Sequence, residues 1–178
     1  MHRSAYKVND EYYTPDWVWR QIQCFIPRDK VLWEPFPGNG QSTRCLRGMG
    51  YAVHSDDADF FECGPRREEV VVTNPPFSRI REIVDRFVEW QQPFIMVMPM
   101  SRLSVKYFQQ SMNRMSEDLT IIVPSKRIDF DRPDGCYSKC PFDCGIYCYK
   151  IDVGDRSRRA TIIPVDVTDD RVRDLGDS

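Results

Sequence analysis

A chain of 178 residues, 41% hydrophobic and 29% charged, has the length and balance of one globular domain with a sizeable core. No apolar run approaches a membrane-spanning length, and no apolar stretch follows the opening Met-His-Arg-Ser-Ala-Tyr-Lys. Neither a membrane partner nor a secretory leader is expected, and the chain is read as intracellular, in cytoplasm or nucleus. A formal net charge of −2 argues against a protein that grips long nucleic acid by bulk electrostatics, while leaving room for a local basic patch.

Thr14-Pro15-Asp16 predicts a helix start: a hydroxyl cap, proline at the first helical position, an acid in the first turn. Val18, Ile22 and Phe25 follow at helical spacing and Pro27 ends the element. A short strand, Val31-Leu32-Trp33, runs into Glu34 and the loop Pro35-Phe36-Pro37-Gly38-Asn39-Gly40. A helix from about Gln41 stops at Gly50, and a strand over Tyr51 to Ser55 ends in Asp56-Asp57-Ala58-Asp59. Phe60 to Glu69 is too short and too charged for a further strand-plus-helix unit. The strand Val70 to Thr73 leads into Asn74-Pro75-Pro76-Phe77. A helix over Arg79 to Gln91 places Ile80, Ile83, Val84, Phe87 and Val88 on one face.

Phe94 to Met98 is an all-apolar strand, as in a sheet covered on both faces. A helix with Leu103, Phe108, Met112 and Met115 inward, a strand Thr120 to Val123, a polar loop Lys126 to Lys139 and a strand Cys144 to Ile151 complete the pattern. The tail from Asp152 is charged, with one β-prone stretch at Ala160 to Val167. Alternating strands and helices imply an open, mostly parallel α/β sheet with helices on both faces, in one domain over 1–151 with a charged extension over 152–178. Ligands of such sheets sit beyond the carboxyl ends of the strands, where Glu34, Asp56 and Asn74 all fall.

Asn74-Pro75-Pro76-Phe77 carries the chemistry. An amino group conjugated to an aromatic ring is a poor nucleophile, because its lone pair is spread into the ring. An enzyme that methylates it must hold both N–H bonds with acceptors. Asn74 offers a side-chain carbonyl and Pro75 a backbone carbonyl whose direction the two prolines fix. Phe77 offers a flat face for a base. By itself, Asn-Pro-Pro is equally a strand-terminating turn. At the other strand ends, Gly38 and Gly40 permit close backbone approach to a ligand, without the six-residue dinucleotide fingerprint or the Lys-Ser/Thr of a phosphate-binding loop. Asp56 is placed to accept from ribose hydroxyls, and Asp59 and Phe60 to reach an adenine. Each acid is also readable as a solvated turn.

Tyr13-Thr14-Pro15, Glu34-Pro35-Phe36-Pro37-Gly38-Asn39-Gly40, Asp56, Asp59-Phe60-Phe61 and Asn74-Pro75-Pro76-Phe77 stand in the order found in S-adenosylmethionine-dependent amino-methyltransferases. Over roughly residues 12 to 150 the chain resembles the small DNA adenine-N6 methyltransferases of phages and viruses. The resemblance implies a Rossmann-like class I methyltransferase fold with the last strand antiparallel, S-adenosylmethionine as cofactor and adenine in nucleic acid as acceptor, DNA favoured over RNA. It implies Tyr13, Thr14 and Pro15 at the methionine end of the cofactor. Glu34, Pro35, Gly38 and Gly40 would line the methionine and ribose, with Asp56 on the ribose and Asp59 and Phe60 at the adenine. Asn74, Pro75, Pro76 and Phe77 would hold the target amine, and Tyr12 or Tyr13 would sandwich the base with Phe77. The chain departs from that family in its short 60–69 stretch and in having no segment long enough for a separate target-recognition domain. A partner subunit, a short loop or a different substrate is left to fill that role; a catalytically silent partner subunit is the reading from another class.

Lys126 and Arg127, with Arg79, Arg81, Arg102 and Lys106 near the same rim, are candidates to meet phosphates, or are ordinary solvated charges. Of seven cysteines, Cys136, Cys140, Cys144 and Cys148 follow at an even spacing. Structural zinc sites favour two tight pairs, so these four are read as thiols entering a buried strand, and no metal is expected.

Overall fold

The computed structural model of the chain describes residues 12–55, 58–115, 117–131 and 142–154. Its elements in chain order are α1 (Asp16–Gln21), β1 (Val31–Trp33), α2 (Gln41–Gly48), β2 (Val53–His54), β3 (Glu69–Thr73), α3 (Ile80–Trp90), β4 (Phe94–Pro99), α4 (Lys106–Met115), β5 (Leu119–Ile122) and β6 (Cys144–Tyr149). Short 3-10 turns stand at Gln23–Phe25, Phe60–Glu62, Phe77–Arg79 and Met100–Ser104.

The strands form one six-stranded sheet in the order β2-β1-β3-β4-β6-β5. β1 pairs in parallel with β2 and β3, and β3 with β4. β6 lies between β4 and β5 and is antiparallel to both. The chain moves from β1 outward to β2, then returns to place β3 on the other side of β1. The topological switch point therefore falls between β1 and β3, where open α/β sheets place their ligands.

Burial follows the sequence pattern. Ile80, Ile83, Val84, Phe87 and Val88 are all buried, so the apolar stripe of α3 is its sheet-facing side. Every residue of β4 and of β6 is buried, because these central strands are covered on both faces. Between β2 and β3 the described residues form a single 3-10 turn and no strand, which leaves β2 at the sheet edge. Gln92 fastens this shortened connection: its side chain accepts from the Arg66 amide and donates to the carbonyls of Arg66 and Glu69, at 2.8–2.9 Å.

Three local expectations are corrected. Pro15, with φ −61° and ψ 145°, is still extended, so α1 begins at Asp16 and the Thr14 hydroxyl makes no cap. The second strand shortens to Val53–His54, because only these residues lie in register with Leu32 and Trp33. The 126–131 part of the expected polar loop carries two buried side chains, Ile128 and Phe130, whose alternation is that of an extended segment with one face inward. The stretches 132–141 and 155–178, which hold Cys136, Cys140 and the β-prone Ala160 to Val167, lie outside the described residues.

Candidate active site

The loop after β1 is shaped by its glycines. Gly38 has φ +53° and Gly40 φ +77°, conformations L-residues other than glycine rarely adopt. Gly40 N–H donates to the Pro37 carbonyl at 2.7 Å, and Asn39 Oδ1 accepts from the Gln41 amide at 2.9 Å, which turns the chain into α2. A Cβ on Gly38 would stand 3.1 Å from Cε1 of Tyr13, so the Tyr13 ring lies directly on this loop.

The strip Tyr12–Pro15 joins the glycine loop to the Asn-Pro-Pro turn. Tyr13 and Asp131 exchange both backbone hydrogen bonds, at 2.8 and 2.9 Å. Gln41 Nε2 donates to Asp131 Oδ2 at 2.7 Å and to the Thr14 carbonyl at 3.4 Å, tying the strip to the start of α2. The Thr14 hydroxyl is buried and has no hydrogen-bond partner among the described residues.

Asn74 follows β3 directly. Its Nδ2 donates to the Tyr12 carbonyl at 2.7 Å. That bond fixes the amide orientation, and Oδ1 is left buried with no partner among the described residues. A buried carbonyl without a donor costs free energy unless a ligand supplies one. Pro75, Pro76 and Phe77 are buried behind it. The Phe77 ring lies near-parallel to Tyr12, with centroids 6.2 Å apart and planes 19° apart. Phe130 and Phe142 close an aromatic cluster around the pair, each meeting Tyr12 and Phe77 edge-on at 5.3–6.1 Å.

Glu34 links the two halves at the switch point. It is 1% exposed. Its Oε1 accepts from the hydroxyl of Thr73, the last residue of β3, and from the Phe36 amide at 3.0 Å. Burial dominates its ionisation and pushes the carboxyl from 4.5 up to about 8, against smaller opposing effects of the Thr73 and Phe36 hydrogen bonds. The acid thus holds the ends of β1 and β3 together.

The remaining expected residues fall as follows. Asp59 accepts from the Phe61 amide at 2.9 Å and caps the 3-10 turn that follows. Phe60 is 1% exposed and packs against Trp33, Phe36, Phe61, Phe87 and Trp90; the partly exposed rings of that cluster are Phe36, Phe61 and Trp90. Asp56 lies outside the described residues. Arg127 pairs with Asp143 at 2.7 Å, and Lys126 Nζ sits 5.4 Å from the centre of the Trp17 ring. Cys144 and Cys148 are buried on β6, four residues and so about 13 Å apart along the strand, too far to share one ion. The described residues hold no cluster of three potential metal ligands.

Sequence reasoning did not reach Thr73, Gln41, Phe130, Asp131 or Phe142. The alternation of Ile128 and Phe130 was a usable signal. The others depend on which strands are neighbours, or on backbone carbonyls, which carry no residue identity.

No family model and no curated protein sequence matches the chain. Solved structures do. One is a Listeria monocytogenes protein described as a class I S-adenosylmethionine-dependent methyltransferase, with TM-score 0.51 and 13% identity over 97% of this chain and 72% of that one. Another is a dimethyladenosine transferase from Plasmodium falciparum, with TM-score 0.50 and 10% identity over 79% of this chain. The match spans 62% of the length of that transferase. At such identities the likeness defines the fold: a Rossmann-like class I methyltransferase fold.

Proposed function

We propose that the protein transfers a methyl group from S-adenosylmethionine to the N6 amino group of adenine in DNA, by direct in-line attack. The observation that carries this reading is the buried, partnerless Oδ1 of Asn74, oriented by the Nδ2 bond to the Tyr12 carbonyl at 2.7 Å. An acceptor of this kind, at a strand end at the switch point of a class I methyltransferase fold, fits an exocyclic amine. The dimethyladenosine transferase among the structural neighbours fits an adenine acceptor.

The residues present fit the cofactor as well. The buried Thr14 hydroxyl lacks a partner among the described residues, and the loop after β1 turns through two glycines at positive φ. Thr14 and Pro15 would meet its methionine end, Pro35, Gly38 and Gly40 its middle, and Asp56 and Asp59 its ribose and adenine, with Glu34 fixing the loop from behind. When bound, S-adenosylmethionine supplies a methyl group on a positive sulfonium, already activated for transfer.

The protein's part is alignment. Asn74 Oδ1 accepts one N6 hydrogen and the Pro75 carbonyl the other, drawing the nitrogen lone pair out of conjugation. Phe77 supports the base, and Tyr12 covers its other face. A base between two rings needs about 7 Å, two stacking distances, so the Tyr12 and Phe77 rings, with centroids 6.2 Å apart, must separate to admit it. An adenine in a duplex must first leave the stack. No covalent intermediate is required, and the cysteines take no part. Target reading falls to short loops or to a partner subunit. RNA adenine is the second acceptor this chemistry admits.

The test compares labelled-methyl transfer to adenine-containing DNA, and cofactor binding by calorimetry, for the wild type and Asn74→Ala. Transfer should fall at least a hundredfold while cofactor affinity stays within about threefold. Parallel loss of both would remove Asn74 from the acceptor role.

A further inference from the structure

Six cations lie near the rim of the candidate site, and the structure separates them. Arg79 pairs with Glu82 at 2.6 Å and lies over the Phe61 ring at 3.6 Å. Arg81 pairs with Asp85 at 4.0 Å, and Arg127 with Asp143 at 2.7 Å. Lys126 sits over Trp17, and Lys106 is exposed to water. Arg102 differs from all of these. It stands in the 3-10 turn Met100–Ser104 directly after β4, and it is half-buried. Its Nη2 donates to the Phe77 carbonyl at 3.2 Å, and its Nε is buried with no partner among the described residues. Among the described residues no carboxylate lies within ion-pair distance of it.

A guanidinium cannot escape its charge by losing a proton. Partly removed from water, it is stabilised by an anion. The described residues supply none, and the turn holds the group against the residue on which the target base is to stack. The anion must therefore arrive with the substrate. A nucleotide whose base lies on Phe77 carries its phosphate one sugar away, and a guanidinium with free Nη hydrogens suits a phosphate oxygen pair.

We propose that Arg102 binds the phosphodiester adjacent to the target adenine and so fixes the extruded nucleotide by its backbone while Asn74 holds its base. The inference rests on the nucleic-acid reading above and assigns one residue and one ligand group within it. Arg102 takes no proton and forms no bond in the transfer; it is a substrate-binding residue.

The test is DNA binding by fluorescence anisotropy at one fixed low salt concentration. The probes are adenine-containing oligonucleotides whose phosphates are replaced, one at a time, by neutral methylphosphonates. In the wild type, neutralising one linkage beside the target adenine should weaken binding ten- to hundredfold. Arg102→Gln, which keeps a donor for the Phe77 carbonyl, should start weaker by a similar factor and lose nothing further at that linkage. Arg102→Lys should restore part of the sensitivity, which a purely structural role would not do. Arg81→Met, whose charge already meets Asp85, should keep the full sensitivity. Calorimetric titration with S-adenosylmethionine checks that each variant is folded. If Arg102→Gln retains the linkage-specific loss, or the wild type binds adenine DNA with no linkage-specific loss, the assignment to Arg102 is wrong and the acceptor reading stands. If the wild type binds cofactor but shows no adenine-dependent DNA binding, the acceptor reading itself fails and Arg102 falls with it.

Discussion

Replacing Glu34 by Gln should change how the stability of this protein depends on pH. The carboxyl is 1% exposed, and burial holds it at about 8 rather than 4.5. That gap amounts to about 5 kcal/mol of preference for the neutral acid in the folded state. The unfolded chain ionises the group near its ordinary value of about 4.3, while the folded chain keeps it protonated. Between those two values the folded state therefore binds more protons. Stability from this group is full below the unfolded value and is lost as pH rises toward about 8. Glutamine imitates the neutral acid. Both the Thr73 hydroxyl and the Phe36 amide reach Oε1, which the amide oxygen retains. Urea unfolding of both proteins without cofactor, from about pH 5 to about pH 9, isolates the effect, because all other titrations cancel in the difference. Glu34→Gln should lie within about 1 kcal/mol of the wild type at pH 5. It should gain about 1.4 kcal/mol per pH unit above that, and level off beyond pH 8. A difference that stays flat, or that favours the wild type increasingly as pH rises, would refute the reasoning and place an ionised carboxylate at the switch point.

Other substitutions probe the site and the core separately. Gly38→Ala puts a Cβ on a residue at φ +53° and 3.1 Å from the Tyr13 ring; it should cost about 1–2 kcal/mol in thermal or urea unfolding and weaken S-adenosylmethionine binding in calorimetry. Phe77→Ala should weaken DNA binding by about 1–3 kcal/mol while leaving cofactor affinity near that of the wild type, as read by parallel titrations. Ser42→Ala strands the Trp19 indole N–H, which donates to the serine hydroxyl at 3.1 Å inside the core, and should lower unfolding free energy by about 1–3 kcal/mol.

The parts of the fold legible in the sequence are those set by local periodicity. The five apolar positions of α3 declare their buried face, and the unbroken apolar run of β4 declares a central strand. The shortened 60–69 connection is legible too, since ten charged and mixed residues cannot supply a strand and a covering helix. In the site, Asn74 and the glycine loop stand out because their chemistry is unusual at a strand end. What selects the Asn74 oxygen, however, is a bond to a backbone carbonyl, and any residue at position 12 would offer one. The Thr73–Glu34 bond spans 39 positions and exists only because β1 and β3 are neighbours. Phe142 joins Tyr12 and Phe77 across the whole length of the domain. Arg102 looks like any other rim cation until the counter-ions of its neighbours are placed.

The most direct test of the central claim is product analysis after incubating the protein with radiolabelled S-adenosylmethionine and matched pools of DNA and RNA. Digestion to nucleosides should place the label in N6-methyladenine from the DNA pool. Label in N6-methyladenine from RNA alone would keep the chemistry and change the acceptor. Label in a ring-carbon product, or no transfer to either pool by protein that binds the cofactor, would contradict the assignment of Asn74 as the holder of an adenine amine.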